Sequence, residues 1–189
     1  MARAPRTAKP SLAQTELLDV GQSTAPAVPE VRRRVAAWRD AGYPGATDTT
    51  RACLAWWFPK DGHRRPGGRP FRYHPFQREA VETLVYLYEV AGVRRQQTLL
   101  ESYVSRDDIQ LLQHDDFARY CLKMATGSGK TKVMSLAVAW QYFNAVAEGR
   151  DDYARTFFVI APNVIVYERL RSDFAGGRIF RADPAIPPD

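Results

Sequence analysis

The chain has 189 residues, 45% of them apolar, a formal net charge of +6 and a pI near 9.5. That length allows one domain with an adequate core, and the basic balance is compatible with a polyanionic partner without being diagnostic of one. No apolar run reaches the ~18–20 residues that span a bilayer, so no membrane partner is expected, and Cys53 and Cys121 sit inside apolar segments at no metal spacing. They read as reduced core residues of a cytoplasmic protein.

Residues 1–28 are rich in Ala, Pro, Ser and Thr around a lone Leu17-Leu18 pair, and read as a flexible tail. Residues 29–70 form an accessory helical region with a basic loop. Val31, Val35, Ala36 and Trp38 predict a short helix closed by Gly42 and Pro44. Thr47-Asp48-Thr49-Thr50 offers N-caps for a second helix through Trp56, Trp57 and Phe58, whose aromatics read as core rather than as a base-stacking platform. Pro59 to Pro70 carries Lys60, Arg64, Arg65 and Arg69 among Gly67 and Gly68. It is either a phosphate contact or a solvated connection.

From Phe71 the pattern becomes helical, with Pro75 opening the helix and Phe76, Ala80, Leu84, Leu87/Tyr88 and Ala91 forming one apolar stripe. Gln77 lies beside that stripe. On pattern alone it is an exposed surface residue, although an amide carries the donor and acceptor that can read the N6 and N7 edge of adenine. Gly92 to Asp116 is a polar insertion with helical propensity around Leu99-Leu100, Ile109 and Leu111-Leu112, and His114 reads as a surface residue there.

Phe117 to Met124 then predicts a strand centred on Tyr120, Cys121 and Leu122. It runs into Met124-Ala125-Thr126-Gly127-Ser128-Gly129-Lys130-Thr131, and Lys132 to Ala147 predicts a helix buried on more than one side. Strand, glycine turn, helix is the context of a phosphate-binding loop. Triphosphate oxygens must meet several backbone N–H groups at once, and Gly127 and Gly129 remove the side chains that would block them. The helix beginning near Lys130 adds unpaired N–H groups and the positive end of its dipole. Lys130 would reach the β- and γ-phosphates, and the Thr131 hydroxyl would ligate Mg²⁺. Thr126, Gly127, Ser128, Gly129, Lys130 and Thr131 are therefore the ATP-binding candidates, with Lys130 and Thr131 also the catalytic ones. The general pattern places a glycine where this chain has Met124.

Beyond a turn at Gly149 and Asp151-Asp152, Thr156 to Ala161 is a continuous apolar run suited to a central parallel strand. Pro162-Asn163 ends it, and Val164 to Phe174 reads as another helix.

Met-Ala-Thr-Gly-Ser-Gly-Lys-Thr resembles the loop of superfamily 2 helicases and translocases. Pro75-Phe76-Gln77-Arg78-Glu79-Ala80 looks like the segment upstream of that loop in the DEAD/DEAH-type motor of type III restriction enzyme Res subunits. The resemblance spans about Phe71 to Phe174. It implies that Gln77 contacts adenine and that Pro162 and Asn163 contact the nucleic-acid backbone. It also implies a partial RecA-like P-loop NTPase domain over 71–189, α/β, with a parallel sheet and flanking helices. The implied activity is ATP-dependent DNA translocation or unwinding with ATP and Mg²⁺. Duplex DNA and a modification or specificity subunit are the implied partners.

No apolar strand ending in Asp-Glu, the pair that positions Mg²⁺ and water, follows the loop, and no Ser-Ala-Thr motif appears. The sequence thus reads as the N-terminal part of a larger motor, expected to be inactive alone and to need the remainder of that motor. Two other classes remain: a P-loop kinase, which lacks a substrate lid here, and a non-catalytic remnant that binds nucleotide or DNA without turnover.

Overall fold

The computed structural model describes residues 27–65, 68–104 and 117–187. Leu17-Leu18, Gly67, Ile109, Leu111-Leu112, His114 and nearly all of the expected tail lie outside the described residues. The architecture is mostly helical. Helix α1 spans Val28–Asp40 and α2 spans Asp48–Trp57, where the Thr47 side chain caps the Thr50 N–H. A two-stranded antiparallel hairpin follows, β1 His63–Arg64 against β2 Pro70–Phe71. Helix α3 covers Pro75–Val85 and runs into a π turn over Tyr86–Val90, and α4 is Gln96–Tyr103. Helix α5, Lys130–Ala147, is the longest among the described residues. Helix α6, Val164–Phe174, is capped by the Asn163 side chain on the Val166 N–H and is joined by a 3₁₀ turn to α7, Arg178–Ala182.

Helices α1, α2, α3 and α5 share one core, in which Trp57, Leu54, Val81, Leu136 and Trp140 are fully buried. The accessory tryptophans are therefore packing residues. A second cluster joins Val31 and Val35 of α1 to Leu87, Val93 and Tyr103. Several polar groups in the first core are satisfied, whereas the buried Tyr73 and Tyr153 hydroxyls have no hydrogen-bond partner among the described residues. Glu82, wholly buried, accepts from Arg39, from Arg78 Nε at 2.7 Å and from the Tyr43 hydroxyl at 2.6 Å. Asn144 bonds to Thr47 and Thr50, and Glu89 accepts from Thr50 and from the Trp140 indole.

Three expectations are corrected. Neither Phe117–Met124 nor 156–161 is a strand, and the parallel sheet is not formed among the described residues. A strand exists only through ladder bonds to a neighbour, and neither segment meets one. Burial still alternates residue by residue from Phe117 to Ala125, the two-residue period of a strand. Phe158 and Ile160 are each 90% exposed. The buried face of α3 is Gln77, Val81, Glu82 and Val85, one position away from the expected stripe, and Phe76 is exposed and stacked on His74. Glu82 can lie on this buried face because Arg39, Arg78 and Tyr43 satisfy its carboxylate. Helix α5 is buried on more than one side, as expected, through Val133, Ser135, Leu136, Ala139, Trp140 and Ala145, leaving Tyr142 and Val146 exposed. Finally, Cys53 is buried but Cys121 is exposed.

Candidate nucleotide-binding site

The glycine turn has the backbone that its sequence demands. Gly127 and Gly129 have φ of 78° and 80°, left-handed values that favour glycine. Gly129 is the N-cap of α5, and its carbonyl accepts from the Lys132 and Val133 N–H groups. Lys130 and Thr131 are thus the first two helical residues, whose N–H groups have no intrahelical acceptor. They stand at the positive end of an 18-residue helix. Ser128 folds the turn inward, its hydroxyl donating to the Ala125 carbonyl at 2.6 Å. The Lys130 ammonium closes it, donating to the Met124 and Ala125 carbonyls at 2.9 and 2.7 Å. Thr126 and Gly127 are exposed at the tip, and a Cβ on Gly127 would meet nothing within 4 Å. Two free amides, an ammonium and an adjacent hydroxyl are the donor set that a polyphosphate requires.

Gln77 is not the exposed residue that pattern alone suggests. It is 3% exposed and bridges α3 to the loop. Its Oε1 accepts from the His74 N–H at 2.9 Å, and its Nε2 donates to the Ser128 carbonyl at 2.8 Å. Pro162 and Asn163 are exposed, and the Asn163 side chain is engaged in capping α6. The structure thus joins Gln77 to the glycine loop and leaves the Pro162-Asn163 turn at the surface, with no contact to the loop shown among the described residues.

One feature of the site has no linear signature. A cleft of about 350 Å³ opens beside Gly129 and Thr131, bounded by Arg65, Lys132, Arg169 and Asp183. Asp183, 7% exposed, pairs with both Arg65 and Lys132. Both cations lie over the Phe71 ring, Arg65 at 4.3 Å and Lys132 at 5.2 Å from its centroid. Burial, then the neighbouring Arg65 guanidinium, push the Lys132 ammonium below the ordinary lysine range, while Asp173 acts the other way. The sequence places Arg65 in a basic loop but gives no sign of Asp183, because the two are far apart in the chain and carry no local motif.

A family model described as type III restriction enzyme, res subunit, matches residues 71–183, more than half of the chain. The chain belongs to this family. The res-subunit match takes in Gln77, the whole glycine loop and Pro162-Asn163. Its two ends, Phe71 and Asp183, are linked through Arg65 and Lys132, which lie over the Phe71 ring and pair with Asp183. Comparison with curated proteins and with solved structures found no match. No helix among the described residues is long and apolar enough to cross a membrane.

Proposed function

We propose that this chain carries the ATP-binding elements of an ATP-dependent DNA helicase or translocase motor of the type III restriction kind. The observation that carries the reading is the start of α5. A left-handed Gly129 caps an 18-residue helix whose first two amides and Lys130 converge on an open glycine turn. That arrangement, within a res-subunit chain, matches the chemistry of a nucleoside triphosphate.

In this reading Lys130 exchanges the Met124 and Ala125 carbonyls for phosphate oxygens, which a flexible ammonium does at low cost because those carbonyls lie near solvent. Thr131 would hold Mg²⁺, which when bound spreads the charge developing on the phosphates. Gln77 has one N–H and one lone pair beyond its two intrachain bonds, enough to meet adenine while still anchoring the loop. The alternating 117–125 segment and the apolar 156–161 run are suited to be strands of a RecA-like parallel sheet. The exposed Pro162-Asn163 turn is the candidate contact to DNA, and a modification or specificity subunit is the protein partner that the family relation suggests.

The test is equilibrium binding of a fluorescent ATP analogue to the wild type and to Lys130→Ala. We expect binding to be lost while the melting temperature changes little, since Lys130 is exposed and its intrachain bonds are worth about 1 kcal/mol or less. Equal affinity in the two proteins would sink the assignment.

A further inference from the structure

We propose that the cleft beside the start of α5 seats the terminal phosphate of a bound nucleoside triphosphate, with Arg169 and Arg178 as the cations that distinguish a triphosphate from a diphosphate. This rests on the nucleotide reading above and extends it to residues outside the glycine loop.

Position is the first argument. The cleft shares Gly129 and Thr131 with the loop, so a phosphate chain held at the first amides of α5 has this space as its neighbour. Both arginines line the same cleft. Helix α6 contributes Arg169. A tight reversal, with Gly176 and Gly177 at φ of 57° and 72°, returns the chain so that Arg178 at the start of α7 faces the same space. Positive φ at two successive residues is tolerated by glycine and strained in others. Burial of Ile179 and an edge contact between Phe174 and Phe180, 5.7 Å between centroids, hold α7 against α6. The wall is a built feature rather than a loose end.

Charge is the second argument. Asp183 is consumed by Arg65 and Lys132. Arg169 and Arg178 have no hydrogen bond or ion pair among the described residues, and Asp173 is the one further carboxylate in the lining. Arg65 Nε is buried with no hydrogen-bond partner. Cations thus outnumber carboxylates in the lining, and one buried donor is orphaned. An anion in the cleft would offset this excess of positive charge. A guanidinium offers a planar fork of donors suited to phosphate oxygens.

The experiment compares ATP and ADP affinities, at fixed Mg²⁺, for the wild type, Arg169→Ala/Arg178→Ala, Arg169→Lys/Arg178→Lys and Lys130→Ala. Both arginines are exposed, so the fold should survive, and ADP affinity serves as the internal check. We expect the double alanine variant to lose on the order of tenfold or more in ATP affinity, with ADP unchanged and partial recovery in the lysine pair. An unaltered ATP-to-ADP preference overturns the proposal, including the case in which the cleft serves a DNA backbone phosphate instead. Equal losses for ATP and ADP overturn it too, because they mark a structural role. If the wild type binds neither nucleotide, the nucleotide reading itself fails. Loss of both in Lys130→Ala beside an unaltered preference in the arginine variants leaves that reading standing and removes only this inference.

Discussion

The Gln77 amide donates to the Ser128 carbonyl at 2.8 Å, and a Cβ built on Gly129 would lie 2.4 Å from the same Nε2. The first turn of α3 and the phosphate loop are therefore in direct contact, and the absence of a side chain at Gly129 allows it. Gln77→Ala leaves the His74 N–H and the Ser128 carbonyl without this partner, and should cost about 1–3 kcal/mol in a chemical denaturation curve. Gly129→Ala should be worse, because it adds the cost of a left-handed alanine, about 1–2 kcal/mol, to the collision. In the double variant the collision is gone and the backbone strain stays, so the two changes should be clearly less than additive. Simple additivity would show that Gln77 does not occupy the space above Gly129.

The same contact makes a separable prediction for ligand binding. If the spare donor and acceptor of Gln77 meet adenine, Gln77→Ala weakens ATP by about 1–3 kcal/mol more than it weakens inorganic tripolyphosphate. If Gln77 only braces the loop, both ligands weaken together. Calorimetric titration of the two ligands separates these cases.

Glu82 tests the buried polar core. Its carboxylate is wholly buried and serves Arg39, Arg78 and Tyr43, whose phenol is pushed up to about 12 by burial and by the adjacent carboxylate. Removing one member of such a network leaves the others partly uncompensated. Because both arginines retain access to water, Glu82→Leu should destabilise by about 3 kcal/mol, the low end for buried pairs. A denaturation midpoint within error of the wild type would contradict the burial of Glu82.

The two cysteines give a simple readout of packing. Burial pushes the Cys53 thiol up to about 12, so almost none of it is thiolate at pH 8, and it is also shielded. Cys121 is exposed. Alkylation at pH 8 in native buffer should modify Cys121 alone, and both should react in denaturant. Peptide mapping that finds Cys53 modified first would place the core elsewhere.

Acid stability should carry a small contribution from α1. Hydrogen bonds from Arg33 and Arg34 hold the Glu30 carboxyl at about 2, below its ordinary 4.5. A lowered folded-state pKa means stability that is fully present above about 4.5 and is lost as pH falls through about 2. Glu30→Gln should therefore lower the melting temperature slightly at pH 6, with the difference from wild type shrinking steadily as pH falls towards 2 and vanishing below it. A difference that is as large near pH 2 as at pH 6 would assign the effect to something other than charge.

Local signals in the sequence determined a good part of this protein by themselves. Thr47 caps α2, Pro75 opens α3, Gly129 precedes α5, and Asn163 starts α6, which ends at Phe174 as its pattern says. Each depends on hydrogen bonds between residues three or four apart, so a short window of sequence holds all the partners. The glycine loop was legible for the same reason, since it needs only backbone freedom, a lysine and the helix that follows. What tertiary structure alone decided depends on distant partners. Gln77 is buried where Ser128 comes to meet it, and Glu82 can lie on the inward face of α3 because Arg39 pairs with it and Tyr43 donates to it. The runs at 117–124 and 156–161 have strand composition, yet form no ladder among the described residues, because a strand's hydrogen bonds belong to its neighbour. The cleft joins Arg65 of the hairpin, Lys132 of α5 and Asp183 just past α7. Charges so far apart in the chain acquire a shared electrostatic role only when packing brings them within a few ångströms, where burial makes their attraction strong.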